Sequence, residues 1–429
     1  MDGWNTHTYD VIVIGSGPGG ATVADQLSRQ GRKVLILEWG SAAAIKGTVQ
    51  QSSGIALVPG RGLFFTPELL ALVCGITLGG SSVLSYATAF EPDYAIFERY
   101  GIDLKPEIEL LKHELPIAPL SDSLVGPSAQ RIKASAIDLG YPWNKLPKMV
   151  HQENCRTNCD KCTMGCPYTA KWTSREFIDQ ACLNGSILLT GARVTNLIVN
   201  ENRVTGVRFS MQGSIQQASA PLVVLSAGGI GTPLILRQSG ITNAGYDFFF
   251  DPLVVVAGTV DDLDDGREFP MAAGFYDPAE GFVLTDLIWP NWIRGIFTLR
   301  VGRVDRLAGH RKMISIMIKV KDDLGGSLTH KGWANKRLTA NDSTRLSRGT
   351  QVARKILLHA GARNIYSTGI TAVHPGGTAK IGDVVDSNLK TRYDNLYVCD
   401  CSVIPDSWGL PPTQTIIALA RRLARHLTI

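Results

Sequence analysis

Residues 10–14 form a short apolar run rich in β-branched side chains, the pattern of a parallel strand buried on both faces. A cluster of glycines follows. Residues 21–30 then space their apolar side chains as a helix does, and residues 33–38 make a second buried run. Strand, helix and strand in about thirty residues predict a β-α-β unit. Residues 39–79 are irregular and rich in Gly and Ser. Residues 104–139 read as helical, broken at Pro116, Pro119 and Pro127. A helix is expected over 173–184, alternating strands over 186–211 with a turn at 200–202, and a strand over 221–226. From 241 to 370 the pattern shifts to longer mixed strands with aromatic content. A strand at 395–398 and a helix at 415–427 close the chain, and no internal repeat appears.

Nucleotide-type α/β sequence therefore lies at both ends and in the middle. The expectation is an α/β protein with a Rossmann-like, discontinuous cofactor domain formed by 1–95, 151–240 and 371–429. A second, α+β substrate or cap domain is expected from 96–150 and 241–370.

Gly15-Ser16-Gly17-Pro18-Gly19-Gly20 spells GxGxxG at Gly15, Gly17 and Gly20. In this pattern the first glycine makes the turn and the second admits a pyrophosphate. The third lets helix pack on strand, and the helix N-terminus faces the phosphates. Glu38 ends the second strand eighteen residues after Gly20, where a carboxylate accepts from ribose hydroxyls and disfavours a 2′-phosphate. Strand, turn, helix and acid in this order predict a bound dinucleotide.

Bulk properties narrow the class. A length of 429 residues predicts two domains or one domain with an insert. The net charge of +5 is small, and Lys and Arg are dispersed; nothing calls for nucleic acid, and the Arg-rich end of the last helix reads as a solvated face. The N-terminus shows no signal pattern and no window matches a membrane span, so a cytoplasmic protein is expected. The apolar stretches 248–260 and 288–301 read first as ordinary core strands. They also leave room for a lipid-like or aromatic substrate, a partner surface or a peripheral membrane contact.

Four of the eight cysteines fall within twelve residues: Cys155, Cys159, Cys162 and Cys166, the last followed by Pro167. The final three match the end of a ferredoxin-type run. The spacing predicts an iron–sulfur cluster, [4Fe-4S] first, with a four-cysteine zinc site or a redox-inert loop as alternatives. Cys155–Cys162 also fits the radical-SAM spacing, which belongs to a different fold. Cys74, Cys182, Cys399 and Cys401 read as core thiols, with Cys401 also a possible cofactor neighbour.

Five ordered motifs resemble the glucose–methanol–choline (GMC) oxidoreductases. They are the glycine turn, Leu78-Gly79-Gly80-Ser81-Ser82, the stretch from Val223 through Ala227-Gly228-Gly229 to Pro233, His374-Pro375-Gly376-Gly377-Thr378, and Val398 through Asp400 and Cys401 to Pro405. The resemblance implies an FAD enzyme acting on alcohols. It places Gly15, Gly17, Pro18, Gly20 and Glu38 on the adenosine diphosphate half and Gly79, Gly80, Ser81 and Ser82 along the pyrophosphate and flavin edge. Val194 would touch adenine through its backbone, and Ala227 and Gly228 would pass close to the dinucleotide. Asp400 would bond the ribityl or pyrophosphate region beside Cys401, and Pro412 and Thr413 would lie near the flavin ring. His374 would be the base that takes the hydroxyl proton as hydride leaves carbon, a task suited to a neutral imidazole. The family's second His or Asn is replaced by Pro411, which has no side-chain donor or acceptor; Tyr86, Asp406 and Trp408 are weak substitutes.

Certain sugar dehydrogenases of the family hold an iron–sulfur cluster in this region, and the resemblance implies single-electron transfer to a protein or quinone acceptor. Three functions stay open: an alcohol dehydrogenase with a cluster relay, a reductase running the opposite way toward a carbonyl or activated C=C substrate, and a non-catalytic electron-transfer subunit.

Overall fold

The computed structural model describes residues 7–263, 266–306 and 310–428. Its centre is the expected β-α-β unit: strand Val11–Ile14, helix Pro18–Arg29 and strand Val34–Glu38. Both strands are wholly buried, which is why they read as continuous apolar runs rather than alternating ones. They sit in a five-stranded parallel sheet ordered Leu396–Val398, Leu222–Leu225, Val11–Ile14, Val34–Glu38 and Ile187–Thr190. Val11 lies in register with Leu222 on one side and Val34 on the other. Helix Pro18–Arg29 packs between Arg175–Leu183 and the closing helix Thr413–His426. A side chain at Gly19 would run into the Cys399 carbonyl, so only glycine permits this approach.

Strands Arg193–Asn200, Arg203–Met211 and Ser214–Ser219 form a separate antiparallel ribbon. The second large layer is a nine-stranded, mainly antiparallel sheet. Pro252–Thr259, Met313–Val320 and Phe282–Asp286 form its middle, with Leu253 opposite Lys319 and Val255 opposite Met317. Helix Ala340–His359 covers one face. Its start is a capping box, in which the Thr339 hydroxyl accepts from the Asp342 N–H and the Asp342 carboxylate accepts from the Thr339 N–H. Segments 63–65, 71–73 and 371–372, grouped by sequence with the cofactor unit, pair into this sheet as well.

The two apolar stretches turn out differently. Phe248, Phe249 and Phe250 are buried and lead into the core strand Pro252–Thr259. The second stretch is a helix, Asn291–Arg300, rather than a core strand. Among the described residues no helix is long and apolar enough to cross a membrane.

The turn at 250–251 is fixed by a buried ion pair. Asp322 accepts from the N–H groups of Phe250 and Asp251 and lies 2.6 Å from Lys336 Nζ. The same ammonium donates to the carbonyls of Phe248 and Asp323. Burial pushes the Asp322 carboxyl up to about 6, against the pull of Lys336. Asp322→Ala leaves this cation buried without its counter-charge. The expected loss is about 3–5 kcal/mol of unfolding free energy, read from denaturant midpoints; a loss below about 1 kcal/mol would show that the pair does not hold the turn.

Candidate active site

The glycine turn and Glu38 close on each other. Glu38 accepts from the Ser16 N–H at 3.0 Å, the Ser16 hydroxyl at 2.6 Å and the Gly40 N–H at 2.5 Å. Burial raises its pKa, and these three donors oppose the rise. The carboxylate expected to face ribose is thus also the brace of the turn. The Ser16 oxygen in turn accepts from the Gly79 N–H at 3.0 Å, so the Gly79-Gly80 turn is fastened to the first. Ser81 accepts from Gly75 N–H, while Ser82 donates to the Gly79 carbonyl and accepts from Ser174 N–H. Both hydroxyls therefore shape the turn. Near Glu38, the Ala192 N–H donates to its carbonyl and the Gly191 N–H donates to that of Gly40. Val194 follows in the adjoining strand, and the Arg193 guanidinium stacks 4.5 Å from the Trp39 ring.

Three distant motifs form the opposite wall. Asp400 accepts from the Gly228 N–H at 2.8 Å, the Thr232 hydroxyl at 2.6 Å and the Ser402 N–H at 2.8 Å. The resemblance aimed this carboxylate at the cofactor; here three protein donors engage it, and burial raises its pKa against them. Thr378 donates to the Gly229 carbonyl, Gly377 N–H to that of Cys401, and the Cys401 sulfur lies 3.1 Å from the Pro375 carbonyl. Pro411 and Pro412 are buried, and Thr413 opens the closing helix.

The space between these walls fits a dinucleotide. A Cβ on Gly15, Gly19 or Gly20 would strike backbone oxygens, whereas one on Gly17 or Gly228 meets nothing within 4 Å. Two glycines of the binding motifs thus border open volume. The buried oxygens Gln414 Oε1 and Thr415 Oγ1, in the first turn of the closing helix, lack protein partners among the described residues. An FAD held by these residues would supply donors and acceptors for such groups.

His374 is presented as expected, on a loop, and with a left-handed φ of 53°. Its Nδ1 lies 3.0 Å from Asp251 Oδ2. Asp251 is wholly buried and has a left-handed φ of 44°. Two non-glycine residues in this region, facing each other, are strained positions that the surroundings must enforce. The other carboxylate oxygen accepts from the Gly409 N–H at 2.8 Å, and Lys319 Nζ stands 3.6 Å from Oδ2. That ammonium is buried without a full hydrogen bond, and burial pushes it down to about 8. A carboxylate only accepts, so the neutral imidazole carries its hydrogen on Nδ1 and Nε2 is left as an acceptor. The histidine side chain is 30% exposed. Crowding by protein lowers its pKa, with the Lys319 charge acting the same way and Asp251 opposing.

Asp251, Lys319 and Gly409 escaped the sequence reading, although two of them left a trace. Asp251 is a lone acid after three phenylalanines, and Lys319 a lone cation in the apolar strand Met313–Val320. An isolated charge at a buried register position needs a partner and so points to a specific contact. Of the suggested substitutes for the missing partner, Trp408 keeps a buried Nε1–H with no protein acceptor among the described residues. Asp406 pairs with Arg99 at 2.6 Å, Trp408 packs edge-on to Phe97, and Tyr86 belongs to an apolar cluster with Val373, Leu253 and Met317.

The iron–sulfur reading of the cysteines gains no support from the structure. Among the described residues no three His, Cys, Asp or Glu side chains are grouped so as to hold a metal ion. Cys155, Cys159, Cys162 and Cys166 are free thiols, near enough to raise one another's pKa. Cys162 faces the core, and its carbonyl is pinned by the buried Lys171 ammonium, which also receives the carbonyls of Val83 and Ser85. Burial pushes the Cys155 thiol up to about 11 and Cys162 up to about 12. Gly165-Cys166-Pro167 and Ala170-Lys171 thus act here as a clamp on the Gly80–Val83 turn. Cys399 is a core thiol as expected, whereas Cys182 is exposed and Cys74 half-buried.

Family models described as GMC oxidoreductase match residues 9–254 and 306–420. An uncharacterised protein of Methanocaldococcus jannaschii is 28% identical over 98% of this chain and its own full length. A long-chain-alcohol oxidase of Arabidopsis thaliana is 21% identical, covering 96% of this chain and 67% of its own. Among solved structures, pyridoxine 4-oxidase from Mesorbium loti superposes with a TM-score of 0.77 at 17% identity, over 98% of this chain and 99% of its own. Formate oxidase superposes with a TM-score of 0.77 at 16% identity, over 98% of both chains.

The His374 environment has a measurable signature. Imidazole NMR titration should place its pKa below the ordinary 6.5. Lys319→Met removes a cation that disfavours the imidazolium, so the pKa rises; Asp251→Asn removes an anion that favours it, so the pKa falls. Shifts of opposite sign would refute this arrangement of charges.

Proposed function

The chain belongs to the GMC oxidoreductase family, and from that footing we propose an FAD-dependent oxidoreductase that acts on a CH–OH group, with His374 as the base. The observation that carries this reading is the His374–Asp251 pair, which leaves Nε2 as a proton acceptor on a loop stitched to the turns at Gly229 and Cys401 by Thr378 and Gly377. FAD would be held by the glycine turns at Gly15–Gly20 and Gly79–Ser82 and by the turn at Asp400, and would supply the acceptor for the hydride of the substrate carbon. Nε2 takes the hydroxyl proton, and Asp251 holds the ring by Nδ1 while the positive charge develops. Asp251 also fixes Gly409, two residues before Pro411, so one carboxylate sets the spacing between the base and the closing motif. With proline at 411, His374 is the polar group that this loop pair offers to the substrate oxygen.

The opposite direction, reduction of a carbonyl, uses the same groups with His374 starting as imidazolium. The lowered His374 pKa favours the neutral ring at neutral pH and therefore the oxidising direction. No step is routed through the four thiols.

Anaerobic mixing of the flavin-loaded enzyme with short-chain, long-chain and aromatic alcohols should bleach the flavin with at least one of them. In His374→Ala the bleaching rate should fall by about 10²–10⁴-fold with flavin content retained. Unchanged bleaching in that variant would remove His374 from the chemistry and favour an electron-transfer role; failure of every alcohol would reject the substrate class.

A further inference from the structure

Four lysines are buried among the described residues: Lys148, Lys171, Lys319 and Lys336. An ammonium has three hydrogens to place. Lys148 donates to the Thr88 hydroxyl and to the Pro270 and Met271 carbonyls. Lys171 donates to the carbonyls of Val83, Ser85 and Cys162. Lys336 donates to the Phe248 and Asp323 carbonyls and pairs with Asp322. Each of these three is fully engaged. Lys319 differs: it is 1% exposed, yet its Nζ has no hydrogen-bond partner among the described residues. Its counter-charge, Asp251 Oδ2, stands 3.6 Å away. A buried donor left unmet is costly, so an unmet ammonium beside a candidate base points to a ligand.

The surroundings of Lys319 belong to the site. The Asp251 oxygen that it faces is the one that takes His374 Nδ1, and the other oxygen holds the Gly409 N–H, two residues before Pro411. A Cβ on Gly409 would strike the Lys321 backbone, so the closing motif lies against the end of the strand that carries Lys319. Base, closing motif and ammonium thus surround one carboxylate. Lys319 pairs in register with Leu253, and Met317 with Val255. Alternation puts these four on one face of the sheet, and the three apolar ones pack with Val373, the residue before His374. The ammonium therefore ends an apolar surface that leads to the base.

We propose that Lys319 is a catalytic residue of this site, whose ammonium donates a hydrogen bond to the substrate oxygen and so makes the contact that proline at 411 cannot. The proposal rests on the oxidoreductase reading above. In the oxidation the carbinol carbon loses a hydride to FAD, the hydroxyl proton goes to His374 Nε2, and the C–O bond becomes a carbonyl. Lys319 keeps its three hydrogens throughout and steadies the negative charge that gathers on the oxygen. Because Asp251 already offsets the Lys319 charge, the ammonium offers hydrogen bonds rather than a net positive charge. With the apolar face beside it, this selects an uncharged alcohol with an apolar body over a hydroxy acid.

A ketone isolates this contact. Its oxygen only accepts, and a neutral His374 offers it no donor at Nε2, so its capture needs Lys319. Binding of acetophenone and cyclohexanone to the oxidised, flavin-loaded enzyme is compared, through flavin absorbance, with that of their oxygen-free isosteres, α-methylstyrene and methylenecyclohexane. All enzymes are held at one pH, about one unit above the highest His374 titration among them, so that Nε2 carries no proton. A ketone should bind at least about tenfold more tightly than its isostere. Lys319→Met should erase that preference while isostere affinity, flavin content and melting temperature are kept, and His374→Ala should retain it. No preference in the wild-type enzyme for either pair overturns the proposal, whatever the variants do. So does a preference that survives Lys319→Met, or one that His374→Ala or Trp408→Phe abolishes, since another side chain would then be the donor; the Trp408 indole N–H also lacks a partner. Benzoate bound more tightly than acetophenone overturns the substrate class. These ligands do not turn over, so a missing ketone preference leaves alcohol bleaching as the test of the oxidoreductase reading, and failed bleaching leaves the ketone preference standing.

Discussion

One buried carboxylate, Asp251, joins the parts of this molecule that matter for chemistry. It receives the His374 ring on one oxygen and the Gly409 backbone on the other, and it faces the Lys319 ammonium. Each partner arrives from a different stretch of chain: the loop after strand 371–372, the closing motif, and the middle of the second sheet. Burying an anion here is costly unless donors and an opposite charge meet it, and the site meets that demand with all three. The left-handed backbone at both Asp251 and His374 is the residual strain of bringing the two face to face. Behind it, Asp322 and Lys336 hold the turn from which Asp251 projects.

The cofactor walls follow a similar rule on a local scale. Glu38 and Asp400 each collect three donors from neighbouring turns. Carboxylates that read as ligand contacts therefore serve first as internal ties. The turns then present their glycine faces, at Gly17 and Gly228, to the open volume.

What was legible in the sequence was what depends on local pattern. The buried strands at 11–14 and 34–38, the turn between them and the loop carrying His374 follow from apolar runs and from glycines whose approach to neighbouring backbone tolerates no side chain. What stayed hidden depends on pairing across long separations. Asp251 and His374 are 123 residues apart, and no spacing rule links them. Residues 288–301 misled because an apolar run does not state whether its side chains point inward; the helix there places Thr298 inside and Leu299 outside. The four cysteines show the same dependence on packing. Close spacing permits convergence on a metal, but Cys162 is drawn to the core while Lys171 fixes its backbone.

The second sheet shares strands with both halves of the chain. Strand Pro252–Thr259 starts beside Asp251 and is hydrogen-bonded to 371–372, two residues before His374, whose loop itself bridges back to Phe249. Opening the site by swinging one layer away from the other would break this ladder and pull His374 off its carboxylate. Entry and exit of a reactant would then call for peripheral rearrangements that leave this ladder intact.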